Sequence, residues 1–281
     1  MRAREASYLE PAEIVITTVM AAVLGFVFIV PFLWMVLSSL KVPAELFVVP
    51  MQWLPRHPQW NNYVRIFTQF PFLTDLRNTG VLVVVNIVAS VASNTLVAYG
   101  FSRIEWKGRE ALFYVVLATL ILPFQVVMIP LFILFQRLHW IGTLLPLTVP
   151  GFFGTAFFIF LLRQFFQSIP HELSYAAKID GAGELRIYAR IIMPLSTPAI
   201  TTVIIFQFLR TWNDFIGPLI FLTDDRLYTL SLGAQQIMHN LDPKWDMLLT
   251  LGVMMTFPVL AVFFVLQKYF IQGIAMTGIK G

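Results

Sequence analysis

The stretch SIPHELSYAAKIDGAGELRIYARIIMPLSTPA, Ser168 to Ala199, is a polar, helix-prone island between two long apolar segments. It holds Glu172, Lys178, Asp180, Glu184, Arg186 and Arg190, six of the chain's 34 charged residues. Its first half reads as a short helix. Pro170 suits a first helical turn, Glu172 favours the positive end of the helix dipole, and Asp180-Gly181 is a stop signal. The second half reads as another helix from about Gly183 to Ile192, stopped by Pro194. Leu185, Tyr188, Ala189 and Ile192 fall at i, i+3, i+4 and i+7, which predicts one apolar face. Two short amphipathic helices joined at a glycine and projecting from apolar surroundings make a docking surface.

The surroundings are those of a membrane protein. The 281 residues are 58% hydrophobic and 12% charged, with a mean hydropathy of +0.78. A soluble domain carries about 25% charge and 45–50% apolar residues. A span needs about 20 mostly apolar residues, and six candidates occur: 14–40, about 79–101, 111–135, 144–166, 200–222 and 247–270. The first is too long for a signal-peptide core and reads as a helix that stays. Pro123, Pro130, Pro150 and Pro218 fall inside spans, where neighbouring helices tolerate them. The expected fold is therefore all-α, an integral membrane protein of six transmembrane helices. The island forms a two-helix loop between spans 4 and 5, and residues 1–281 form one membrane domain.

Basic residues set the orientation. With the N-terminus inside, inner segments hold 11 Lys and Arg and outer segments hold seven, with Arg210 within a span. The short inner connection 103–110 has Arg103, Lys107 and Arg109, whereas the short outer one at 136–143 has only Arg137. The positive-inside rule then puts both termini, and the 168–199 island, in the cytoplasm. The net charge of +4 is accounted for in this way and needs no nucleic-acid partner. The long outer segment 41–77 carries Trp53, Trp60, Tyr63, Phe67, Phe70 and Phe72. It reads either as an interfacial aromatic layer or as a docking surface for an external protein.

Several chemistries are excluded. No G-x-x-x-x-G-K-[ST] occurs, so nucleotide phosphates have no P-loop here. His171-Glu172 opens like a zinc-protease H-E-x-x-H, but the fifth residue is Tyr175. The histidines His57, His139, His171 and His239 are scattered along the chain, and cysteine is absent, which leaves no metal ligand set. There is no G-x-S-x-G nucleophile motif. The chain reads as a transport subunit, not an enzyme, and binds no cofactor of its own.

Ionisable and amide side chains in spans mark pathways. The richest group is Gln207, Arg210, Trp212, Asn213 and Asp214. Arg210 and Asp214, at i and i+4, are placed to pair on one helix face. That group reads either as a structural ion pair or helix break, or as a lining where hydroxyl-rich solutes meet amides, a carboxylate and an aromatic ring. Asn86, Asn94 and Gln125 are further pathway candidates, although interhelical hydrogen bonding explains such residues equally well. The small-residue tail Gly273–Gly281 reads as a frayed terminus.

The island also carries a resemblance. Ala176-Ala177, Asp180-Gly181-Ala182, Tyr188, Ile191 and Pro194 are similar to the EAA loop of ABC importer permeases. That family pattern is roughly E-A-A-x-x-D-G-A, then an aromatic, an Ile and a Leu-Pro. Here Tyr175 stands where the motif's Glu is expected, and Glu172 lies one turn upstream. The segments Ser38–Lys41, Trp53-Leu54-Pro55, Trp60-x-Asn62-Tyr63, Arg210–Leu219 and Gln267–Gly281 resemble carbohydrate-type members in the right order. The resemblance implies that the loop, through Glu172, Tyr175, Ala176, Ala177, Asp180, Gly181, Ala182, Tyr188 and Pro194, couples to a cytoplasmic ATPase subunit. It further implies a second permease subunit, two ATPase subunits that bind ATP-Mg, an extracytoplasmic solute-binding protein, and a bacterial-type cytoplasmic membrane. The tail Gly273–Gly281 would reach toward the ATPase pair. The alternatives are a stand-alone secondary transporter, which would show inverted repeats or mid-membrane carboxylates, or an ABC permease for glycerol phosphate-like solutes.

Overall fold

The computed structural model describes residues 11–239 and 244–277. Arg2, Arg4, Lys280 and the last four tail residues lie outside the described residues. The principal helices are α1 Pro11–Ser39, α2 Asn61–Gln69, α3 Phe72–Ser102, α4 Arg109–Ala118, α5 Phe124–Arg137, α6 Ala156–Ser168, α7 Glu172–Ile179, α8 Glu184–Leu195, α9 Thr197–Trp212, α10 Leu230–His239 and α11 Trp245–Thr277. No strand occurs among the described residues. Four stretches are long and apolar enough to cross a membrane, namely Glu13–Ser39, Phe72–Ser102, Leu145–Ser168 and Trp245–Gln267. Two sharply bent pairs, α4 with α5 and α8 with α9, bring the number to six if each is one span.

The chain divides into two compact units. One comprises residues up to Phe70 together with Ile237–Met255, and the other comprises Pro71–Gln236 with the residues from Thr256 on.

In the first unit, α1 exposes Ile14, Val19, Phe26 and Phe28, as a lipid-facing helix should. Its last carbonyls lack intrahelical donors. The buried Asn62 of α2 meets that need by donating to Ser39 O (2.9 Å) and Lys41 O (3.3 Å). Lys41 is itself buried and donates to the Gln52 carbonyl (2.5 Å), which pins the segment that follows α1. Burial holds its ammonium below the ordinary lysine value, with Glu45 acting in the opposite sense. Arg65 pairs with the buried Asp246 at 2.9 Å. The expected outer segment 41–77 is shorter than its sequence suggests, because α3 starts at Phe72.

The second unit is built around α3. This helix buries a polar face, including Asn78, Thr79, Asn86, Ser90, Asn94, Thr95 and Ser102. That face has work to do because the segment before α6 is not regular helix. It runs through a 3-10 stretch, Val149–Phe153, and Gly154 at φ +86°. Non-helical backbone at membrane depth must find partners inside the protein. Asn86 donates to Leu147 O (2.9 Å), Ser93 to Gly151 O (3.1 Å), and Asn94 Oδ1 accepts from Thr155 N (2.7 Å). Gly151 permits this approach, since a Cβ there would lie 3.0 Å from Asn86 Oδ1. At the other end of α3, Asn78 donates to the carbonyls of Arg226 (2.9 Å) and Tyr228 (3.0 Å), and Thr79 Oγ1 accepts from Leu230 N (3.0 Å).

Two expected spans are corrected. The third, 111–135, is not one helix: α4 and α5 meet at 98°. Leu122 precedes Pro123 and is extended (φ −79°, ψ 110°), as the proline ring requires of its predecessor. The fifth, 200–222, is Thr197–Trp212, a break, and a short helix Ile216–Phe221. Asn213 Nδ2 donates back to Leu209 O, and Asp214 Oδ1 accepts from Gly217 N. The polar pair thus closes one helix and opens the next. For that reason Arg210 and Asp214 do not share a helix face, and the expected ion pair between them is absent.

Candidate functional site

The island 168–199 forms two helices, as its sequence predicts, joined by a tightly bonded turn. Glu172 and Lys178 sit at the first and last turns of α7, each matching the helix dipole. The helix ends at Asp180. Ala182 N donates to Ala177 O (2.9 Å) and Gly181 N to Lys178 O (3.0 Å), while Gly181 takes φ +80°. This 6→1 and 5→2 pattern is a Schellman C-cap, which favours glycine at the left-handed position. Nothing lies within 4 Å of a Cβ added at Gly181, so backbone conformation, not space, makes the demand.

The second helix departs from expectation. It does not stop at Pro194 but continues to Leu195, and α9 follows Ser196 at a 78° bend. Residues Tyr188–Ile192 form a π turn. Proline lacks an N–H and its ring crowds the carbonyl four residues back, here Arg190. The widened turn that contains Arg190 accommodates it. The same widening changes the buried face. Ile187 and Ile192, five residues apart, are both fully buried, with Tyr188 and Ile191 packed beside them. Leu185 and Ala189, expected on the apolar face, point outward.

The inward side of the island joins a core of Ala98 and Tyr99 from α3, Phe158, Leu162 and Phe166 from α6, and Ala199 and Val203 from α9. Ala177 and Ala182, the small residues of the motif, pack against it. Burying Ile187 and Ile192 stabilises this junction by about 1.5–3 kcal/mol each. Polar ties reinforce it. Glu184 Oε1 takes the Lys178 ammonium at 2.7 Å and its Oε2 accepts from Tyr99 OH at 2.6 Å. Tyr188 OH meets Thr95 Oγ1 at 2.7 Å. Hydrogen bonding and charge from Glu184 raise the Lys178 ammonium above its ordinary value, and hydrogen bonds from Lys178 and Tyr99 hold the Glu184 carboxylate below its own, so the pair is lost only as pH falls through the lowered glutamate range or rises through the raised lysine range. At the approach to the island, Arg103 Nη2 donates to Ile169 O (2.5 Å). Arg163 donates to Phe101 O and grips Glu110 with one nitrogen at 2.6 and 2.7 Å, over the Phe113 ring.

The outward side is apolar and uncovered. Ile179 is 87% exposed, Leu185 76% and Tyr175 56%. Glu172, Ala176, Asp180, Gly181 and Pro194 are also exposed. An isolated exposed apolar residue needs no explanation, but a cluster on a bonded, two-helix platform marks an interaction surface.

A family model described as the inner membrane component of binding-protein-dependent transport systems matches residues 89–276, which include the whole island. The chain belongs to this family. It is 32% identical over 267 residues to the arabinooligosaccharides transport system permease protein AraQ of Bacillus subtilis, covering 94% of this chain and 95% of that protein. It is 33% identical over 246 residues to the diacetylchitobiose uptake system permease protein NgcG of Streptomyces coelicolor, covering 85% and 80%. Its fold matches a chain from the crystal structure of a bacterial ABC transporter involved in the import of the acidic polysaccharide alginate, with a TM-score of 0.81 at 24% identity over 94% of this chain and 100% of that one.

The pathway candidates of this permease do not form one cluster. Asn86 and Asn94 are buried in the ties between α3 and the 147–155 backbone. Gln207 is buried and donates to Thr211 Oγ1 (2.9 Å). Trp212 is buried and stacked on Phe208 at 5.5 Å. Gln125, Arg210 and Asn213 are exposed, and Asp214 is half-buried in its capping role. The sequence reading missed Tyr99, Thr95, Lys178, Glu184 and Ile187 as parts of the site. The available signal was an acid directly after Gly183 at a helix start, facing a lone tyrosine near the end of an apolar span.

Proposed function

We propose that this chain is one of two permease subunits of an ATP-driven importer that moves a sugar or oligosaccharide across a bacterial-type cytoplasmic membrane. Family membership supports the importer reading, and the named saccharide permeases among its relatives support the solute class. The observation that carries the coupling role is the bonded two-helix platform. Its inner face is locked into the core, and its outer face leaves Tyr175, Ile179 and Leu185 uncovered. In this reading residues 1–281 form a single membrane domain with six spans, both bent pairs counting as one each. Both termini and the 168–199 platform are cytoplasmic, and the segment after α1 faces the solute-binding protein. Two ATPase subunits bind ATP-Mg, and this chain binds no cofactor. Closure of the ATPases moves the gripped platforms, and the spans alternate access.

Gln125, Arg210 and Asn213, with Asp214, are the pathway residues this reading retains, because they are not consumed by packing. Asn86, Asn94, Gln207 and Trp212 act behind the surface as supports. A polyol phosphate is a second solute reading, favoured by the exposed Arg210, whose charge reaches Asp214 without a contact ion pair.

The test is purification of the tagged chain from its native host in mild detergent. The expected result is co-purification of a second permease and a P-loop ATPase, with ATP hydrolysis stimulated by a saccharide-loaded binding protein. A folded chain that carries no ATPase would overturn the proposal in favour of a secondary transporter.

A further inference from the structure

The covalent chain gives the platform two neighbours, α6 before it and α9 after it. Side-chain geometry gives it a third. Thr95 and Tyr99 lie at i and i+4 on α3, and Glu184 and Tyr188 lie at i and i+4 along the platform's second helix. The two pairs meet in register. Tyr99 OH donates to Glu184 at 2.6 Å, Tyr188 OH meets Thr95 Oγ1 at 2.7 Å, and the two tyrosine rings pack edge to face at 5.4 Å. Glu184 divides its carboxylate between helices, one oxygen to α3 and the other to Lys178 on α7. One side chain thus holds both platform helices and α3 together. The covalent link onward keeps its backbone bonds, Ser196 N to Ile192 O (3.0 Å) and Ile200 N to Ser196 O (2.9 Å). It passes the 78° bend at Ser196, whose buried hydroxyl has no hydrogen-bond partner in the structure.

We infer that Tyr99 and Glu184 are positioning residues through which displacement of the platform passes to α3, so that platform and α3 move as one body. The destination has a meaning. Asn86, Ser93 and Asn94 of α3 hold the non-helical 147–155 backbone, so a shift of α3 carries that interrupted segment with it. Coupling energy then travels through identified hydrogen bonds and ring contacts, and each is open to deletion.

This inference rests on the coupling role proposed above. It is tested in the assembled complex with Tyr99→Phe, Glu184→Ala and the double variant. Tyr99→Phe keeps the ring contact with Tyr188 and deletes the hydroxyl alone. The readouts are solute transported per ATP hydrolysed, basal hydrolysis, and melting temperature. Each single variant is expected to lower the transport-to-hydrolysis ratio by roughly 2- to 30-fold while still co-purifying with the ATPase. The double variant is expected to be no worse than Glu184→Ala alone, because that variant already removes the Tyr99 bond along with the Lys178 pair. An unchanged ratio in Tyr99→Phe, or losses that add in the double variant, would overturn the link. So would a drop in melting temperature with the ratio intact, the mark of a purely structural contact. A wild-type complex that retains no ATPase would overturn the coupling role and this inference with it. A complex that retains it while Tyr99→Phe couples normally removes only the link.

Discussion

The amide of Ala182 donates to the carbonyl of Ala177 across 2.9 Å, and the residue between the helices, Gly181, sits at φ +80°. That bond fixes the angle between α7 and α8. A side chain at Gly181 meets no neighbour, so the cost of substitution is conformational. Gly181→Ala should cost about 1–2 kcal/mol, Gly181→Asn less, and Gly181→Val more, because β-branched residues are worst in the left-handed region. Solute transport by the assembled complex should follow the order Gly, Asn, Ala, Val. Wild-type transport by Gly181→Val would show that the turn is not under that constraint.

Arg163 lies buried between Phe101 O, Glu110 and the Phe113 ring. Glu110 is half exposed, which screens the ion pair, so much of the stabilisation comes from the buried carbonyl bond and the ring. Arg163→Ala should destabilise the chain by about 1–3 kcal/mol. Glu110→Gln keeps a hydrogen-bond acceptor and should cost less. Thermal unfolding in detergent, followed by tryptophan fluorescence, checks the order.

Asn94 tests the division between supports and pathway residues. It is fully buried, and its Oδ1 is the acceptor for Thr155 N. Asn94→Leu strands that amide and should cost about 1–3 kcal/mol. Arg210→Ala and Asn213→Ala, on exposed side chains, should leave stability within about 0.5 kcal/mol. Their effect should appear instead in the solute concentration needed for half-maximal transport. The opposite pattern, a stable Asn94→Leu and an unstable Arg210→Ala, would reverse the assignment.

The membrane class, the apolar stretches and the two-helix island were legible because hydropathy, helix-dipole charges and a glycine stop are local signals. The break at Pro123 and the helix at Phe72 show where locality fails. A proline in an apolar run is compatible with a kink or a full break, and packing decides between them. The buried face of α8 was misread because a 3.6-residue period selects Leu185 and Ala189, whereas the π turn at Tyr188–Ile192 brings Ile187 and Ile192 together. The Arg210–Asp214 pair failed for a related reason, since i, i+4 spacing matters only if the helix continues through it. Amides in spans stand out in the sequence as unusual. Their partners, backbone groups more than 50 residues away, have no sequence signature.

The coupling role of the platform is tested most directly by cross-linking. The chain has no cysteine, so single introduced thiols report cleanly. Ile179→Cys, at the most exposed large apolar residue of the platform, and Ile121→Cys, 81% exposed in the break between α4 and α5, are each treated with a short thiol-to-amine cross-linker in native membranes. The account predicts a product between this chain and a P-loop ATPase from Ile179→Cys and none from Ile121→Cys. Equal cross-linking from both positions, or none from Ile179→Cys in membranes that sustain transport, would contradict it.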